Sequence, residues 1–473
     1  MGINTSFCWC FILVLLWFQS QGCLEEERAA LLQIKDSMGS YLSSAFSNWY
    51  VKECCDWEGV VCDPSHTRIQ RIFFPHLRSD DSEPWFPNAT LFAEFKDLRE
   101  LELPGNHIGG FISIQELRHL DLSGNSFNGN LPMFFTDQLQ MLDLSNNQFQ
   151  GEIPYSIKSN MSCLLYLGLS QNNLTGDLFP KNSSLPNLRW LHLNNNRLSG
   201  TFPYALSKSM KLRILDIQNN ELSGELSSYL PVLPKLKILI LRGNQFEGQL
   251  PVKICQMRDL HLLDLSENDL SGDIPDCVDN VTSWLGRSEN AVGYLPDGSR
   301  NGFVFTFKGR RLIFKGVLLS FPMGVDVSCN RLAGKIPIQM TRLKGIRILN
   351  VSNNLLTGQI PSSLGNLENL ESLDLSHNNF FGVLPHELVG LPVLEIFNVS
   401  FNNLSGMIPI ANQFGTFLND SYLGNPDLCG QPLSIKCNGS TETPPIYARA
   451  EKSVSIMYFA VLIGLFFIVI CLE

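Results

Sequence analysis

Residues 346–361, 370–385 and 394–409 read IRILNVSNNLLTGQIP, LESLDLSHNNFFGVLP and LEIFNVSFNNLSGMIP. Apolar residues fall at Leu349/Val351, Leu373/Leu375 and Phe397/Val399, and each pair is followed by an asparagine, Asn354, Asn378 and Asn402. Those asparagines are 24 residues apart. A fixed period of this size marks a solenoid of stacked supersecondary units, each too small to bury its own apolar face.

Working outward, the same asparagine recurs at Asn106, Asn125, Asn147, Asn172, Asn196, Asn220, Asn244, Asn268 and Asn330. Twelve repeats are therefore explicit, with early spacings of 19, 22 and 25 and then four of 24. The gap from Asn268 to Asn330 is 62, or 24 plus 38, so one insertion interrupts the array. The pattern LxxLxLxxNxL resembles a leucine-rich repeat.

The letters of each repeat carry its physics. The LxL core, as at Leu263/Leu265, alternates as a short strand with one buried face requires. Stacked repeats pair these strands into a parallel sheet backed by a continuous leucine core. The asparagine amide satisfies backbone groups that the inward turn would leave unpaired. The Gly-x-Ile/Leu-Pro that follows, as in 272–275 and 358–361, supplies a permissive turn and then a residue with fixed φ.

Residues 1–22 hold an apolar run, CWCFILVLLWF, too short to span a bilayer and of the length of a signal-peptide core. Export implies an oxidising compartment. Residues 23–75 read as an N-terminal cap. A helix is expected over 25–38, with acids at its start and apolar spacing at Ala29, Leu32 and Met38. Cys23, Cys54, Cys55 and Cys62 form two disulfides among three possible pairings. Ile69, Ile72 and Phe74 suggest one more, degenerate strand.

ALLQIKDSM followed by NWYVKECCDWEGVVC is similar to the N-terminal cap of plant leucine-rich-repeat receptors, and LxLSxNxLxGxIP is their repeat. GRRLIFKGVLLSFPMGVDVSCNRLAGKIP and NQFGTFLNDSYLGNPDLCGQPLSIKC resemble the C-terminal half of plant receptor-like proteins, which carry an ectodomain and membrane anchor but no kinase. The resemblance covers about residues 24–470. It implies an α/β-repeat fold: a right-handed superhelical leucine-rich-repeat solenoid with a parallel sheet on its concave face, disulfide-capped ends and one island. It also implies an extracellular peptide, protein or glycan ligand and a membrane receptor kinase as adaptor or co-receptor.

The expected organisation is a first repeat block over 76–275, an island over 276–320, a second block over 321–409, a C-terminal cap over 410–440 and a linker over 441–452. The island's FVFTFKGRRLIF predicts a β-ribbon. Cys255 and Cys277 flank the adjacent repeat and are expected to staple it. Cys429 and Cys437 suit one disulfide in the C-terminal cap, while Cys163 and Cys329 are left as free buried thiols. Ten N-x-S/T sequons follow the leader: Asn88, Asn160, Asn173, Asn182, Asn280, Asn350, Asn398, Asn403, Asn419 and Asn438. They suit a glycosylated extracellular chain.

Residues 453–472, SVSIMYFAVLIGLFFIVICL, are long enough to cross a bilayer as a single-pass type I anchor, with Ala460-x-x-x-Gly464 as a small-residue face. One glutamate follows where the family's basic cytosolic tail would stand, as in a truncated product. A glycolipid-anchor signal at Asn438-Gly439-Ser440 and a failed anchor are the competing readings.

The net charge of −10 argues against nucleic acid or anionic membrane surfaces as partners. No phosphate-binding glycine loop, HExxH or GxSxG is present, and no enzyme, cofactor or metal site is expected. Asp121, Asp143, Asp216, Asp264 and Asp374 occupy one repeat position each and read as structural. The function expected is that of a plasma-membrane receptor-like protein in defence or development. The alternative is a secreted or wall-associated inhibitor of a secreted glycosidase. The default Asp and Ser of LDLS are abandoned in four successive repeats. Tyr166, Trp190, His192, Asn194, Gln218, Ile240 and Arg242 should therefore line one continuous ligand patch rich in hot-spot residue types.

Overall fold

The computed structural model describes residues 23–38, 46–51, 53–78, 84–109, 117–132, 135–159, 161–179, 183–286, 303–307, 310–314 and 323–437. The leader, the linker, the hydrophobic run 453–472 and the sequons Asn160, Asn182 and Asn438 lie outside them. The chain divides into two compact units, Met1–Ile435 and Lys436–Glu473. All that follows concerns the first, except where Cys437 is named.

The cap helix, α1, spans Glu25–Met38, with Glu25, Glu26 and Glu27 in its first turn and Lys35 in its last. Its buried stripe is Glu27, Ala30, Leu31, Ile34 and Met38. That is out of phase with the expected stripe, since Ala29 and Leu32 are only half-buried. The cause is a carboxylate on the inner face. Glu27 Oε2 accepts the Ile69 N–H at 3.2 Å, and Arg68 stands 3.8 Å from Oε1. Burial raises the Glu27 pKa, opposed by those two partners. The cap pairs Cys23 with Cys54 and Cys55 with Cys62. Trp49 stacks on Trp57 at 4.6 Å between ring centres, and Trp57 Nε1 donates to the Val51 carbonyl at 2.9 Å.

Fourteen strands form the main sheet: β1 Val60–Cys62, β2 Ile69–Phe73, β3 Glu100–Glu102, β4 His119–Asp121, β5 Met141–Asp143, β6 Tyr166–Gly168, β7 Trp190–His192, β8 Ile214–Asp216, β9 Ile238–Ile240, β10 Leu262–Asp264, β11 Gly324–Asp326, β12 Ile348–Asn350, β13 Ser372–Asp374 and β14 Ile396–Asn398. The expected degenerate strand is β2, which joins β1 antiparallel and β3 parallel. From β2 to β14 every pairing is parallel and each strand meets the next repeat's in register. The leucines of the LxL motif point to one side and are fully buried, as at Leu191, Leu215, Leu239, Leu349 and Leu373. Strands of the Gly-x-Ile/Leu-Pro segment form an eight-stranded and a four-stranded sheet behind that core.

The asparagine rungs do what the turn requires of them. Asn220 Nδ2 donates to the carbonyls of Leu193, Ile217 and Gln218 at 3.1, 3.1 and 3.2 Å, while its Oδ1 accepts the Leu198 N–H at 3.0 Å. The rung therefore ties each repeat to its predecessor and leaves no inward-facing amide unpaired. A thirteenth rung, Asn425, repeats the pattern in the C-terminal cap, donating to Val399 and Tyr422 and accepting from Leu404. The residue before each rung is left-handed, so Cys329, Phe401 and Glu267 all have φ of 54°. Such a φ is uncommon outside glycine and asparagine.

At the block junction, β10 pairs directly with β11, although 60 residues separate Leu270 from the Asn330 rung that caps it. Asp276–Asn280 and Thr282–Leu285 form 3₁₀ turns that continue the repeat, so the insertion departs after Gly286 and not at Asp276. Trp284 is buried there, its Nε1 donating to the His261 carbonyl at 3.1 Å. The expected Cys255–Cys277 staple is present, with Cα atoms 5.7 Å apart. A small apolar cavity of about 30 Å³ lies beside it, lined by Leu263, Ile274, Trp284, Val325 and Val327 among others. Within the insertion, Phe303–Phe307 and Arg310–Phe314 pair antiparallel, as the ribbon reading expects.

At the far end Asp427–Cys429 adds a strand to Asn403–Met407, and Cys429 and Cys437 are both disulfide-bonded. Cys163 and Cys329 are free, but neither is buried: Cys163 is half-buried and Cys329 exposed. The expectation of buried thiols is corrected, because Cys329 stands at the outward-turning left-handed position before its rung.

Candidate ligand-binding face

Main-sheet side chains that do not enter the leucine core lie on the opposite face, and register decides which of them meet. Trp190 lies beside Tyr166 and Ile214, and Ile214 beside Ile238. One alternation further along, His192 lies beside Gly168 and Asp216, and Asp216 beside Ile240. Asn194, Gln218 and Arg242 follow two residues beyond. The structure thus brings the seven expected residues together on one face.

It does not leave them open. Tyr166 and Ile240 are 0% exposed, His192 is 1% and Trp190 5%, and Asn194 and Gln218 are also buried. The Arg242 side chain retains 14%. The expected exposed patch is corrected to a buried one. Met141, Tyr166, Trp190, Ile214, Ile238, Ile240, Leu262 and Ile348 form an apolar cluster of their own, separate from the leucine core. A parallel sheet buried on both faces is the ordinary condition of such sheets. Here the apolar residues at the abandoned Asp and Ser positions create the second buried layer.

Polar groups in that layer are strongly perturbed. Burial lowers the His192 pKa to about 4, and neither ring nitrogen finds a hydrogen-bond partner. Asp216 is raised to about 7 by burial, against hydrogen bonds from the Gln218 backbone and side chain. Asp121 and Asp264 are also raised to about 7, first by burial and then by the in-register carboxylates Asp143 and Asp326. Each of these aspartates is held by the residue two further on. Ser266, for example, donates to Asp264 Oδ1 from its N–H at 3.0 Å and its hydroxyl at 2.6 Å. Tyr166 donates to Asp143 Oδ2 at 3.1 Å, and Arg242 donates to Glu267. The carboxylate column closes strand ends, and no group among the described residues could hold a metal ion.

Of the described sequons, Asn88, Asn173, Asn280, Asn403 and Asn419 are exposed. Asn350 and Asn398 are half-buried on the sheet face. Asn350 Nδ2 donates to Asp326 Oδ2 at 3.0 Å, and its Oδ1 accepts from Ser352. No helix among the described residues is long and apolar enough to cross a membrane.

Residues 24–63 match the leucine rich repeat N-terminal domain family. Leucine rich repeat families match 324–380 and 344–404, and also 116–137, 138–160, 187–209, 211–233 and 259–281. The chain is similar to receptor-like protein 9a of Arabidopsis thaliana, 38% identical over 88 residues that span 18% of this chain and 9% of the relative. It is also similar to Cuscuta receptor 1 of Solanum lycopersicum, 34% identical over 98 residues, or 19% of this chain and 8% of the relative. The matched segments thus span about a tenth of these relatives. A solved complex of PEPR1 with AtPEP1 aligns with a TM-score of 0.45 at 22% identity, covering 82% of this chain and 60% of that one. A TDR receptor aligns at 0.43 and 23%, covering 72% and 74%. The chain is a leucine-rich-repeat solenoid with homology to plant receptor-like proteins.

Proposed function

We propose that the chain is a cell-surface receptor-like protein that takes an extracellular ligand on the outer face of its main sheet and signals through a membrane receptor kinase. In this reading residues 23–452 lie outside the plasma membrane, residues 453–472 anchor the chain, and the sequons carry glycans. The setting is defence or development. The observation that carries the reading is the join of two facts. The cap and repeats are homologous to receptor-like proteins, and the sheet face departs from its default Asp and Ser in four successive repeats, β6 to β9. Those four repeats place Tyr166, Trp190, His192 and Arg242 side by side on the sheet.

Attachment and partner are tested together with tagged full-length chain expressed in plant cells. Retention in the pellet after carbonate extraction, with a receptor kinase co-purifying, is the expected result. Release into the soluble fraction removes the anchor, and release by phospholipase favours the glycolipid alternative. With a captured ligand, Arg242→Ala or Arg242→Glu, at the residue of the seven that keeps most exposure, should weaken binding by about 1–3 kcal/mol. Unchanged binding by both folded variants takes the ligand off this face.

A further inference from the structure

The sheets behind the leucine core change character in the second block. On the strand Asn379–Val383, Phe381 and Val383 point outward and are exposed, Phe381 by 44%, and on the next strand, Asn403–Met407, Met407 is exposed as well. The position of Phe381 is filled in the other repeats by Ser, Thr, Glu, Gln, Asn, Ala or Gly. A second aromatic stands close by. Phe401, the residue before the Asn402 rung, has φ of 54° and is 50% exposed, its ring stacked on His377 at 4.3 Å. Other rungs are preceded by Asn, Gln, Glu, Gly, Cys or His. A bulky aromatic is uncommon at such a φ.

Both rings flank Asn403, the exposed first residue of an Asn-Leu-Ser sequon. Phe381 is its register partner on the preceding strand, and Phe401 stands two residues before it in the chain. Register partners of a parallel pair sit about 4.8 Å apart, with side chains on the same side. Val383 leans onto the later strand, since a Cβ on Gly406 would fall 3.1 Å from its Cγ1. The array holds its own control. Asn173 opens an Asn-Leu-Thr sequon at the same repeat position and is also exposed, but its register partner is Gln150 and the residue two before it is Gln171.

We propose that the first N-acetylglucosamine linked to Asn403 lies on the Phe381 ring, so that the chain's own glycan covers the apolar patch of Phe381, Val383 and Met407 and stabilises the second block. The inference rests on the reading that the sequons carry glycans. The linkage forms when the Asn403 amide nitrogen attacks the anomeric carbon of a lipid-pyrophosphate oligosaccharide. A C–N bond forms, the C–O bond to pyrophosphate breaks, the lipid pyrophosphate leaves and the nitrogen gives up one proton. A pyranose presents a face of apolar, weakly positive C–H bonds, and an aromatic ring presents a weakly negative face. Tethered one strand spacing from the ring, the sugar makes that contact without the loss of freedom that a free ligand suffers. A partner protein needs about 800 Å² on each side, which three side chains do not supply, whereas one sugar is matched by one ring.

The test uses full-length chain purified from plant cells, with glycopeptide mass spectrometry for occupancy and thermal melts for stability. Asn403 is expected to be occupied. Asn403→Gln should lower the melting temperature by about 2 °C or more, and Asn173→Gln by under about 1 °C. Enzymatic trimming of the glycans to the first sugar should leave the parent within about 1 °C. In a Phe381→Ser background, Asn403→Gln should have no further effect. Absence of sugar at both sequons overturns the proposal together with the glycosylated reading. An unmodified Asn403 beside an occupied Asn173 overturns the proposal alone and leaves the patch to a partner. An equal loss from Asn173→Gln, or an unchanged effect of Asn403→Gln in the Phe381→Ser background, overturns the ring contact while the glycosylated reading stands.

Discussion

The middle of the main sheet and its C-terminal end are written in the same repeat sentence, yet their outer faces differ. Between β6 and β9 that face is an apolar layer with Trp190 and Ile214 buried, edged by cations. Between β12 and β14 it is Asn350, Asp374 and Asn398, half-buried, with Ile396 36% exposed and an acidic edge. The leucine core and asparagine rungs are the same in both. What differs is two or three outward positions per repeat, which stack on their nearest neighbours alone and so can change block by block. The inward residues of each strand are thus fixed by the repeat, while the outward residues of the same strand differ from one block to the other.

The largest test of that division compares one column at its two ends. Trp190→Ala should destabilise the chain by about 3–5 kcal/mol, whereas Ile396→Ala, at the exposed end, should cost under about 1 kcal/mol. Urea denaturation reads both, and equal losses would erase the distinction. The rungs sharpen it from the other side. Asn220→Ala and Asn402→Ala each remove the same set of backbone partners, so both should cost about 2–3 kcal/mol. A rung that matters in one block alone would show that the blocks are not built alike.

A smaller effect, set by pH, belongs to the middle region. Asp216 has a folded pKa of about 7, above the ordinary carboxylate value. Its contribution is therefore fully present below about pH 4 and is lost as pH rises through 7. His192, lowered to about 4, acts oppositely, its contribution being lost as pH falls below about 6.5. Thermal melts should show lower stability at pH 8 than at pH 5. Asp216→Asn should flatten that decline, recovering about 1–2 kcal/mol at pH 8, and an unaltered profile would remove Asp216 from the account. The smallest effect is expected at the junction, where Val327→Ile reaches into the apolar cavity and should add up to about 1 kcal/mol. A loss there would mean the space is already needed by Trp284 and Met340, which line it.

The repeat period, the sheet strands and the rungs were legible because each is set by residues close in sequence or repeated at fixed distance, whereas the cap cysteines gave two bridges without their pairing, Cys23–Cys54 and Cys55–Cys62. Asn425 was not. Its rung follows Tyr422-Leu423-Gly424 at a spacing of 23, without the LxL that flags the others. The helix phase was misread because an acidic residue, Glu27, belongs to the inner stripe, and its partner Ile69 is 42 residues away. Alternation in the strands correctly placed Tyr166, Trp190 and His192 on one side of the sheet. It carries no information on whether that side meets solvent, and the error in the expected patch lay there.

The direct pairing of β10 with β11 means that the repeats on either side of the insertion stack as consecutive rungs. Behind the sheet Gly286, with φ of 76°, meets Gly345 of the segment leading to β12 so closely that a Cβ on Gly345 would fall 2.7 Å from the Gly286 nitrogen. That contact, with the Gly345 N–H donating to the Trp284 carbonyl at 2.7 Å, locks the repeat before the insertion to the one after it. Because doubling the length of a flexible loop costs only about 0.6 kcal/mol, the unbroken stacking of β10 on β11 makes this position a permissive docking port in evolution and in engineering. New segments can be exchanged there while the register on either side stays where the rungs hold it.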